Sequence, residues 1–274
     1  MIVDFHSHDF PDTLAPRAIS ALCRRTDGVL WPCADGSRTA HLAHLRLADV
    51  DRAVLCMIAT KPAQFDVLLA TAEGLRDGMF GEEAARRIVP FPSVHPADPR
   101  RIAQVEAVAR AGFKGLKFHP YYQDFRLDDP EIVPLFRRIA ELGLVVECHC
   151  GFDVGFPERH DACGPAEAVA LLERVPGLKF VAAHLGGCAG FAPHATDRLL
   201  ELGAYIDTSA LRRDFFKDEQ MRLLRSWPAD RLLFATDYPW NDLNESLRWV
   251  RQVRDAGDLD AVLGGNAVRL LGLD

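Results

Sequence analysis

Short runs of apolar residues alternate with longer stretches of helical periodicity along the whole chain. In residues 99–111, for example, Ile102, Val105 and Val108 fall on one face of a helix. Strands that alternate with helices of about 10–15 residues form βαβ units, so the pattern predicts a parallel sheet that is buried on both faces. The eight apolar runs that we interpret as strands are residues 2–5, 53–58, 88–94, 113–118, 144–148, 179–183, 204–207 and 231–236.

Eight strand–helix repeats in 274 residues predict an α/β protein, and more specifically a (β/α)8 TIM barrel. A doubly wound sheet would carry a glycine-rich phosphate turn after its first strand, and this chain has His6, Ser7 and His8 there. No linker or low-complexity stretch divides the sequence, so we expect a single domain over residues 1–274. The irregular segment 26–38 predicts a short loop or hairpin inserted after the first helix, near the mouth of the barrel.

Four histidines and one aspartate follow predicted strands. His6 and His8 come after strand one, His149 after strand five, His184 after strand six and Asp237 after strand eight. The catalytic groups of TIM barrels lie at the carboxyl ends of the strands, and the two-residue period points His6 and His8 the same way. These five side chains should therefore converge, and imidazole nitrogens with one carboxylate oxygen suit Zn²⁺ or a similar divalent metal.

A purely structural, hydrogen-bonded role is the alternative for any one of these histidines. Random placement would put most histidines on the polar faces of helices, whereas six of the ten fall at predicted strand ends. We therefore interpret the cluster as a metal or proton-transfer site. The six are His6, His8, His95, His119, His149 and His184.

Six motifs follow one another along the chain, and five of them contain His6, His8, His119, His149, His184 or Asp237. They are Asp4-Phe5-His6-Ser7-His8, Gly115-Leu116-Lys117-Phe118-His119-Pro120, His149, Ala183-His184-Leu185-Gly186-Gly187, Thr236-Asp237-Tyr238-Pro239-Trp240 and Gly265-Asn266-Ala267. The ordered set, which runs over residues 2–271, resembles the amidohydrolase superfamily and within it amidohydrolase family 2. The resemblance implies a metal-dependent hydrolase in which His6, His8, His149 and Asp237 hold one divalent metal ion. It also implies that His184 contacts the metal-bound water or the substrate.

The chemistry of a divalent metal, Zn²⁺ first and Mn²⁺ second, agrees with these residue types. Such a metal lowers the pKa of its bound water toward about 7 and accepts a carbonyl oxygen as a Lewis acid. Asp237 can ligate the metal, take a proton from the water and pass it to the leaving group. His184 is placed to polarise the scissile carbonyl or to orient the nucleophile. We therefore expect Asp237 and His184 to be catalytic.

Strand four leaves two interpretations open. Lys117 and His119 are two residues apart, so both can point into the barrel. In some branches of the superfamily that this chain resembles, a carboxylated lysine on strand four bridges two metal ions. In the other interpretation, Lys117 neutralises a carboxylate inside the barrel while His119 lines the substrate pocket.

Substrate recognition should come from side chains after the strands. Aromatic side chains beside a metal indicate a ring or a flat conjugated acid, whose carboxylate an arginine could bind. The residues that we expect to bind substrate are His119, Lys117, Tyr121 and Trp240, with Trp31, Tyr122, Phe152, Arg212 and Arg213 as further candidates.

The leading hypothesis is hydrolysis of a small carboxylic amide, ester or lactone by metal-activated water. The alternative is non-oxidative decarboxylation of an aromatic or enoic acid, an activity of the same family branch that uses the same metal site. A nuclease is a third class, because TatD-type deoxyribonucleases also begin with HxH. They carry a glutamate on strand four, where this chain has Lys117 and His119. A barrel without activity is the fourth hypothesis, but all the expected ligands are present.

The amino-acid composition and net charge indicate which classes of partner the protein binds. Hydrophobic residues make up 49% and charged residues 26%, as in globular enzymes, and the net charge of −7 argues against nucleic acid and anionic membranes. No stretch approaches the roughly 18 apolar residues of a membrane span. The first eight residues do not resemble a secretory signal, and seven cysteines is an odd number for a disulfide framework. We therefore expect a cytoplasmic enzyme of a small-molecule substrate, able to form homo-oligomers.

Overall fold

The computed structural model describes residues 1–159, 161–188, 191–209 and 218–274, and all eight predicted strands are present there. β1 extends two residues beyond its predicted end and so includes His6, whereas β8 is reduced to two residues. The strands are β1 Val3–Ser7, β2 Arg52–Cys56, β3 Ile88–Phe91, β4 Gly115–Phe118, β5 Val145–Cys148, β6 Lys179–Ala182, β7 Tyr205–Asp207 and β8 Leu232–Leu233.

The strands pair in parallel as two sheets, in the orders β1-β2-β3 and β4-β5-β6-β7-β8. Hydrogen bonds cross both gaps between these sheets. Between the last and first strands, Phe5 N donates to Phe234 O over 2.9 Å and Asp237 N donates to His6 O over 2.8 Å. Between β3 and β4, Lys117 N donates to Pro92 O over 3.0 Å. The carboxyl ends of strands from both sheets therefore face one common space.

Helices separate the strands, and their N-termini follow sequence signals. Ser37 accepts a hydrogen bond from Ala40 N at the start of the helix Arg38–Leu47, and Asp242 accepts one from Glu245 N at the start of the helix Leu243–Val253. The helix predicted at 99–111 is present as Arg101–Arg110. The helices are α1 Ala15–Arg25, α2 Arg38–Leu47, α3 Phe65–Arg76, α4 Glu82–Arg87, α5 Arg101–Arg110, α6 Val133–Glu141, α7 Pro165–Arg174, α8 Ala183–Gly187, α9 Asp197–Glu201, α10 Asp218–Ser226, α11 Leu243–Val253 and α12 Asn266–Leu271.

The barrel interior below the strand ends is apolar. Val3 and Phe5 of β1 belong to a buried cluster with Val54, Phe91 and Val145, which come from β2, β3 and β5. A strict two-residue period would then turn His6 away from the interior. The β1–β2 register shifts between Asp4 and Ser7, so His6 and His8 also face inward. Irregularities of this kind commonly redirect side chains next to active sites.

Residues 26–37, in the predicted insertion, form turns and a loop beside the ends of β1 and β8. A single bridge pairs Phe10 with Ser37, and Cys33 N donates to Pro239 O over 2.7 Å. The segment therefore contributes a loop to the mouth of the barrel. Across the ranges that the structure describes, no helix has the length and apolar character needed to cross a membrane.

Candidate metal centre and active site

Three of the predicted ligands lie together at the barrel mouth. His6 Nε2 is 3.2 Å from His8 Nε2, and Asp237 Oδ1 lies 3.5 Å from His6 Nε2 and 3.2 Å from His8 Nε2. Their ligand atoms form one of the groups that could hold a metal ion. The structure therefore brings together the ends of the first and last strands, as the sequence predicted.

Hydrogen bonds on the far side of each ring indicate where its proton is. His8 Nδ1 is 2.8 Å from the Cys56 carbonyl oxygen, and His6 Nδ1 is 3.0 Å from Asp207 Oδ2. Both partners accept hydrogen bonds, so each Nδ1 carries the proton and each Nε2 presents a lone pair. Two lone pairs and the Asp237 carboxylate then face one another, an arrangement that a metal cation between them would stabilise. This donor set fits a divalent metal such as Zn²⁺.

Burial also favours the neutral, metal-binding form of His6. The pKa of His6 is held well below its ordinary value by burial first and by the nearby Lys117 ammonium second. Lys117 Nζ lies 2.8 Å from His6 Nε2 and donates to the lone pair that a metal would use. A metal ion at His6 would therefore replace that hydrogen bond.

The fourth predicted ligand, His149, lies in a neighbouring group. Its ring stacks on His119 with centroids 4.1 Å apart, and His119 Nε2 is 3.2 Å from Asp153 Oδ2. His119, His149 and Asp153 form a separate set of candidate ligands. Burial, followed by the neighbouring His119, holds the pKa of His149 well below its ordinary value. His149 is therefore neutral as well.

A chain of hydrogen bonds connects His149 to Asp207. Ser209 Oγ donates to Asp207 Oδ1 over 2.6 Å and lies 2.8 Å from His184 Nδ1, and His184 Nε2 lies 2.9 Å from His149 Nδ1. Because the Ser209 hydroxyl donates its hydrogen to Asp207, its oxygen accepts a hydrogen bond from His184 Nδ1. His184 Nε2 then accepts a hydrogen bond from His149 Nδ1. The remaining nitrogen, His149 Nε2, then carries a lone pair, and it is buried with no hydrogen-bond partner in the described ranges. That nitrogen is suited to a metal.

Asp207 thus sets the protonation of two candidate ligands. It accepts directly from His6 and acts on His149 through Ser209 and His184. Both ring nitrogens of His184 are engaged in this chain, so the structure shows His184 orienting His149. The contact of His184 with water or substrate stays a prediction.

Two catalytic candidates have strained backbones. His184 and Leu185 have φ of 59° and 53°, and Asp237 has φ of 60°. L-residues avoid this left-handed region at a cost of about 1–2 kcal/mol each, and such strain is commonly found at functional sites. At Asp237 and His184 the backbone bends where the strand ends, which directs both side chains into the barrel mouth.

The loops after β5 and β6 touch through two glycines. A Cβ on Gly187 would lie 2.4 Å from Gly151 N, and one on Gly151 would lie 2.7 Å from Gly187 Cα. No side chain fits in this contact. Because Gly151 follows His149 and Gly187 follows His184, the contact holds these two histidines at hydrogen-bonding distance.

Lys117 lies beneath the site and is fully buried. Its Nζ is 3.7 Å from Glu147 Oε1, and Asp207 is the other carboxylate inside the barrel. Burial alone would lower the pKa of Lys117, but the neighbouring Cys56, Glu147, Asp207 and Asp237 raise it instead. Burial, with Asp207 second, raises the pKa of Glu147 well above its ordinary value. The environment therefore favours a charged Lys117 near Asp207 and Asp237 and a protonated Glu147.

The site opens into a cavity of about 620 Å³, within the usual range for small-molecule pockets. Its polar side, which we call the floor, is formed by His6, His8, His119, His149, His184 and Asp237.

Other predicted substrate-binding residues divide into two groups. Trp240 lines the cavity, as do Tyr122 and Phe152. Tyr121 is only 2% exposed, and the cavity-lining residues do not include Tyr121 or Lys117. Lys117 therefore lies beneath the site, and Tyr121 packs against the rings of His149 and Phe156 behind the cavity wall. The predicted candidates Arg212 and Arg213 lie outside the described residues.

Sequence reasoning did not select Asp207, Glu147, Ser209 or Asp153. A signal existed for three of them, because Glu147 precedes His149 by two residues, and Asp207 and Ser209 are two apart at the end of β7. That spacing places each on the inward face of its strand. Asp153 lies in a loop, where no periodicity applies.

Comparison with known families adds an independent finding. A model of the Amidohydrolase family matches residues 40–273, which is most of the chain. Comparison with curated proteins finds no match.

Solved structures show the fold. An uncharacterized TIM-barrel protein from Bordetella bronchiseptica is similar with a TM-score of 0.74 and 19% identity, over 99% of this chain and 98% of the other. The 2,6-dihydroxybenzoate decarboxylase from Rhizobium has a TM-score of 0.70 and 17% identity, over 100% and 99%. A probable 2-pyrone-4,6-dicarboxylic acid hydrolase from Acinetobacter baumannii has a TM-score of 0.64 and 14% identity, over 99% of each chain. The predicted TIM-barrel fold is confirmed.

Proposed function

The chain belongs to the Amidohydrolase family, whose members are enzymes that include hydrolases and decarboxylases, and on this premise we propose that it is a metal-dependent hydrolase of a small carboxylic ester, lactone or amide. The observation that carries the proposal is the convergence of His6 Nε2, His8 Nε2 and Asp237 Oδ1 at the floor of the cavity. The buried His149 Nε2, which has no hydrogen-bond partner among the described residues, supports a fourth ligand.

We assign the roles from the hydrogen bonds. A divalent metal held by His6, His8, His149 and Asp237 would acidify a water molecule and polarise the substrate carbonyl. Asp237 faces the cavity, so its carboxylate can take a proton from the attacking water and return it to the leaving oxygen or nitrogen. Asp207 keeps His6 and, through Ser209 and His184, His149 in their ligating forms. The water oxygen bonds to the carbonyl carbon and the carbon–heteroatom bond breaks.

Decarboxylation is the second candidate, because one observation favours it. Beyond the floor, the cavity walls are largely apolar side chains such as Leu55, Met57 and Ile58. An apolar wall removes water from a substrate carboxylate, which favours its loss as CO₂. The structural neighbour from Rhizobium is a decarboxylase of an aromatic acid.

One experiment separates the two candidates. The protein, loaded with Zn²⁺ or with Mn²⁺, is incubated with aryl esters, lactones and amides and with hydroxybenzoic and enoic acids. The hydrolase proposal predicts acid release from the first group and no CO₂ from the second. Release of CO₂ without hydrolysis would overturn the proposal in favour of decarboxylation.

A further inference from the structure

The lining of the cavity includes residues of α1 and α3 and of the segment that follows α1. We call the following part of that lining the apolar arm. It consists of Leu14, Ala18, Leu22, Leu30, Val67, Leu68 and Thr71.

The spacing of these residues shows that each helix gives one side to the cavity. Leu14, Ala18 and Leu22 are four apart and form a single stripe along α1. The buried residues of the same helix are Ala15 and Ile19, which form a neighbouring stripe against the core. Helix α1 therefore has one apolar stripe that packs against the core and a second that faces the cavity.

Two polar side chains of the cavity lining, Thr71 of the arm and Arg38, already have hydrogen-bond partners. Thr71 Oγ1 donates to Val67 O over 2.8 Å. Arg38 is the single lysine or arginine among the lining residues in the described ranges, and its guanidinium donates to Asp9 Oδ1 from Nη2 over 2.8 Å and from Nε over 3.1 Å. Asp9 Oδ2 is also 3.0 Å from His41 Nδ1. A polar ligand would find few partners here, whereas an apolar ligand would cover exposed carbon.

The outer end of the arm exposes large apolar side chains to water. Leu14 is 45% exposed and Val67 is 68% exposed. Single exposed residues of this kind are common, but these two line one cavity that continues to the catalytic floor. The continuity favours a ligand that reaches from the floor to the opening.

We propose that the arm binds the apolar chain of the substrate, which is a carboxylic acid derivative with an alkyl or arylalkyl chain several carbons long. The proposal rests on the proposed function, because the carboxyl carbon of such a molecule would lie at the floor. Ala18 and Val67 would then determine the chain length that the enzyme accepts.

The test measures binding rather than turnover. Straight-chain saturated acids of increasing length are titrated into the metal-loaded protein by calorimetry. Burial of each methylene in the arm should tighten binding about three- to fourfold until the arm is filled. Ala18→Trp should fill the arm and remove most of this gain. Ala21→Trp is the matched control, because Ala21 is exposed on the same helix and does not line the cavity.

Val67→Glu provides a second variant at an exposed position, should Ala18→Trp fail to fold. It should weaken binding of the long acids by at least about tenfold, since it places a charge beside the chain. An affinity that does not change with chain length, or an Ala18→Trp variant that keeps the wild-type gradient, would overturn the proposal. So would sedimentation showing that a second copy of the chain covers the arm. A length gradient without ester hydrolysis would leave the arm intact and remove only the proposed function.

Discussion

The floor and the apolar arm are built from different parts of the βα units. The floor comes from strand ends, where the register of the barrel and the backbone hydrogen bonds fix each side chain. His6 and Asp237, for example, lie close together where the first and last strands meet. The arm comes from helix faces that are in contact with solvent at their outer ends. The difference indicates that chemistry is assigned to the rigid part of the fold and substrate selection to the part that tolerates substitution.

The largest expected effect is at the floor. Asp237→Asn keeps the shape of the side chain but cannot accept a proton, so kcat should fall by about 10²–10⁴-fold in the variant saturated with metal. Thermal unfolding checks that the fold is intact. If the variant kept more than about a tenth of the wild-type kcat, Asp237 would not be the general base.

The contact between the β5 and β6 loops offers the next test. Gly187→Ala must both adopt a positive φ and displace the Gly151 backbone, so we expect a loss of about 2–5 kcal/mol in unfolding free energy. Gly177→Ala is the control, because Gly177 has a positive φ of 83° but open space around its Cβ position. It should lose only about 1–2 kcal/mol. Equal losses in denaturant titrations would mean that the glycine contact does not position His149 and His184.

The hydrogen-bond chain from Asp207 should affect metal binding. Ser209→Ala disconnects the His184 imidazole from Asp207, although the backbone N–H of His184 still donates to Asp207 Oδ1. Residues behind a ligating histidine typically contribute about 10–100-fold to metal affinity. Competition with a chelator measures the change. Ser93→Ala removes another buried hydroxyl and leaves this chain untouched, so its metal affinity should match the wild type. Unchanged affinity in Ser209→Ala would contradict the role of Asp207 at His149, and would leave its direct hydrogen bond to His6 untouched.

The arm should give the smallest effect on stability. Val67→Ser changes an exposed position, so the free energy of unfolding should stay within about 0.5 kcal/mol of the wild type. Metal content should also be unchanged. A larger loss of stability in urea unfolding would mean that Val67 supports the fold, which would remove the contrast between the two regions.

Much of the floor could be predicted from the sequence, because the catalytic groups of a barrel lie at the carboxyl ends of its strands. His6, His8 and Asp237 followed from that placement, from the two-residue spacing of the two histidines and from barrel topology, which brings the first and last strands together. The irregularity within β1 could not be predicted, since the alternation in the sequence does not show where register shifts.

Contacts between strands were harder to predict. The stacking of His149 on His119 and the reach of Asp207 to both His6 and Ser209 depend on how far each strand is staggered against the others. The arm required the structure as well, since Ala18 and Leu22 have the same helical spacing as residues that pack into a core.

Metal content tests the central claim most directly. Purified wild-type protein should contain about one Zn²⁺ or Mn²⁺ per chain by elemental analysis, because its imidazole and carboxylate ligands suit these ions. Replacing both His6 and His8 by asparagine should reduce that content to near zero while near-ultraviolet circular dichroism shows a folded barrel. A metal-free wild-type protein with full hydrolytic activity, or a double variant that keeps its metal, would contradict the account.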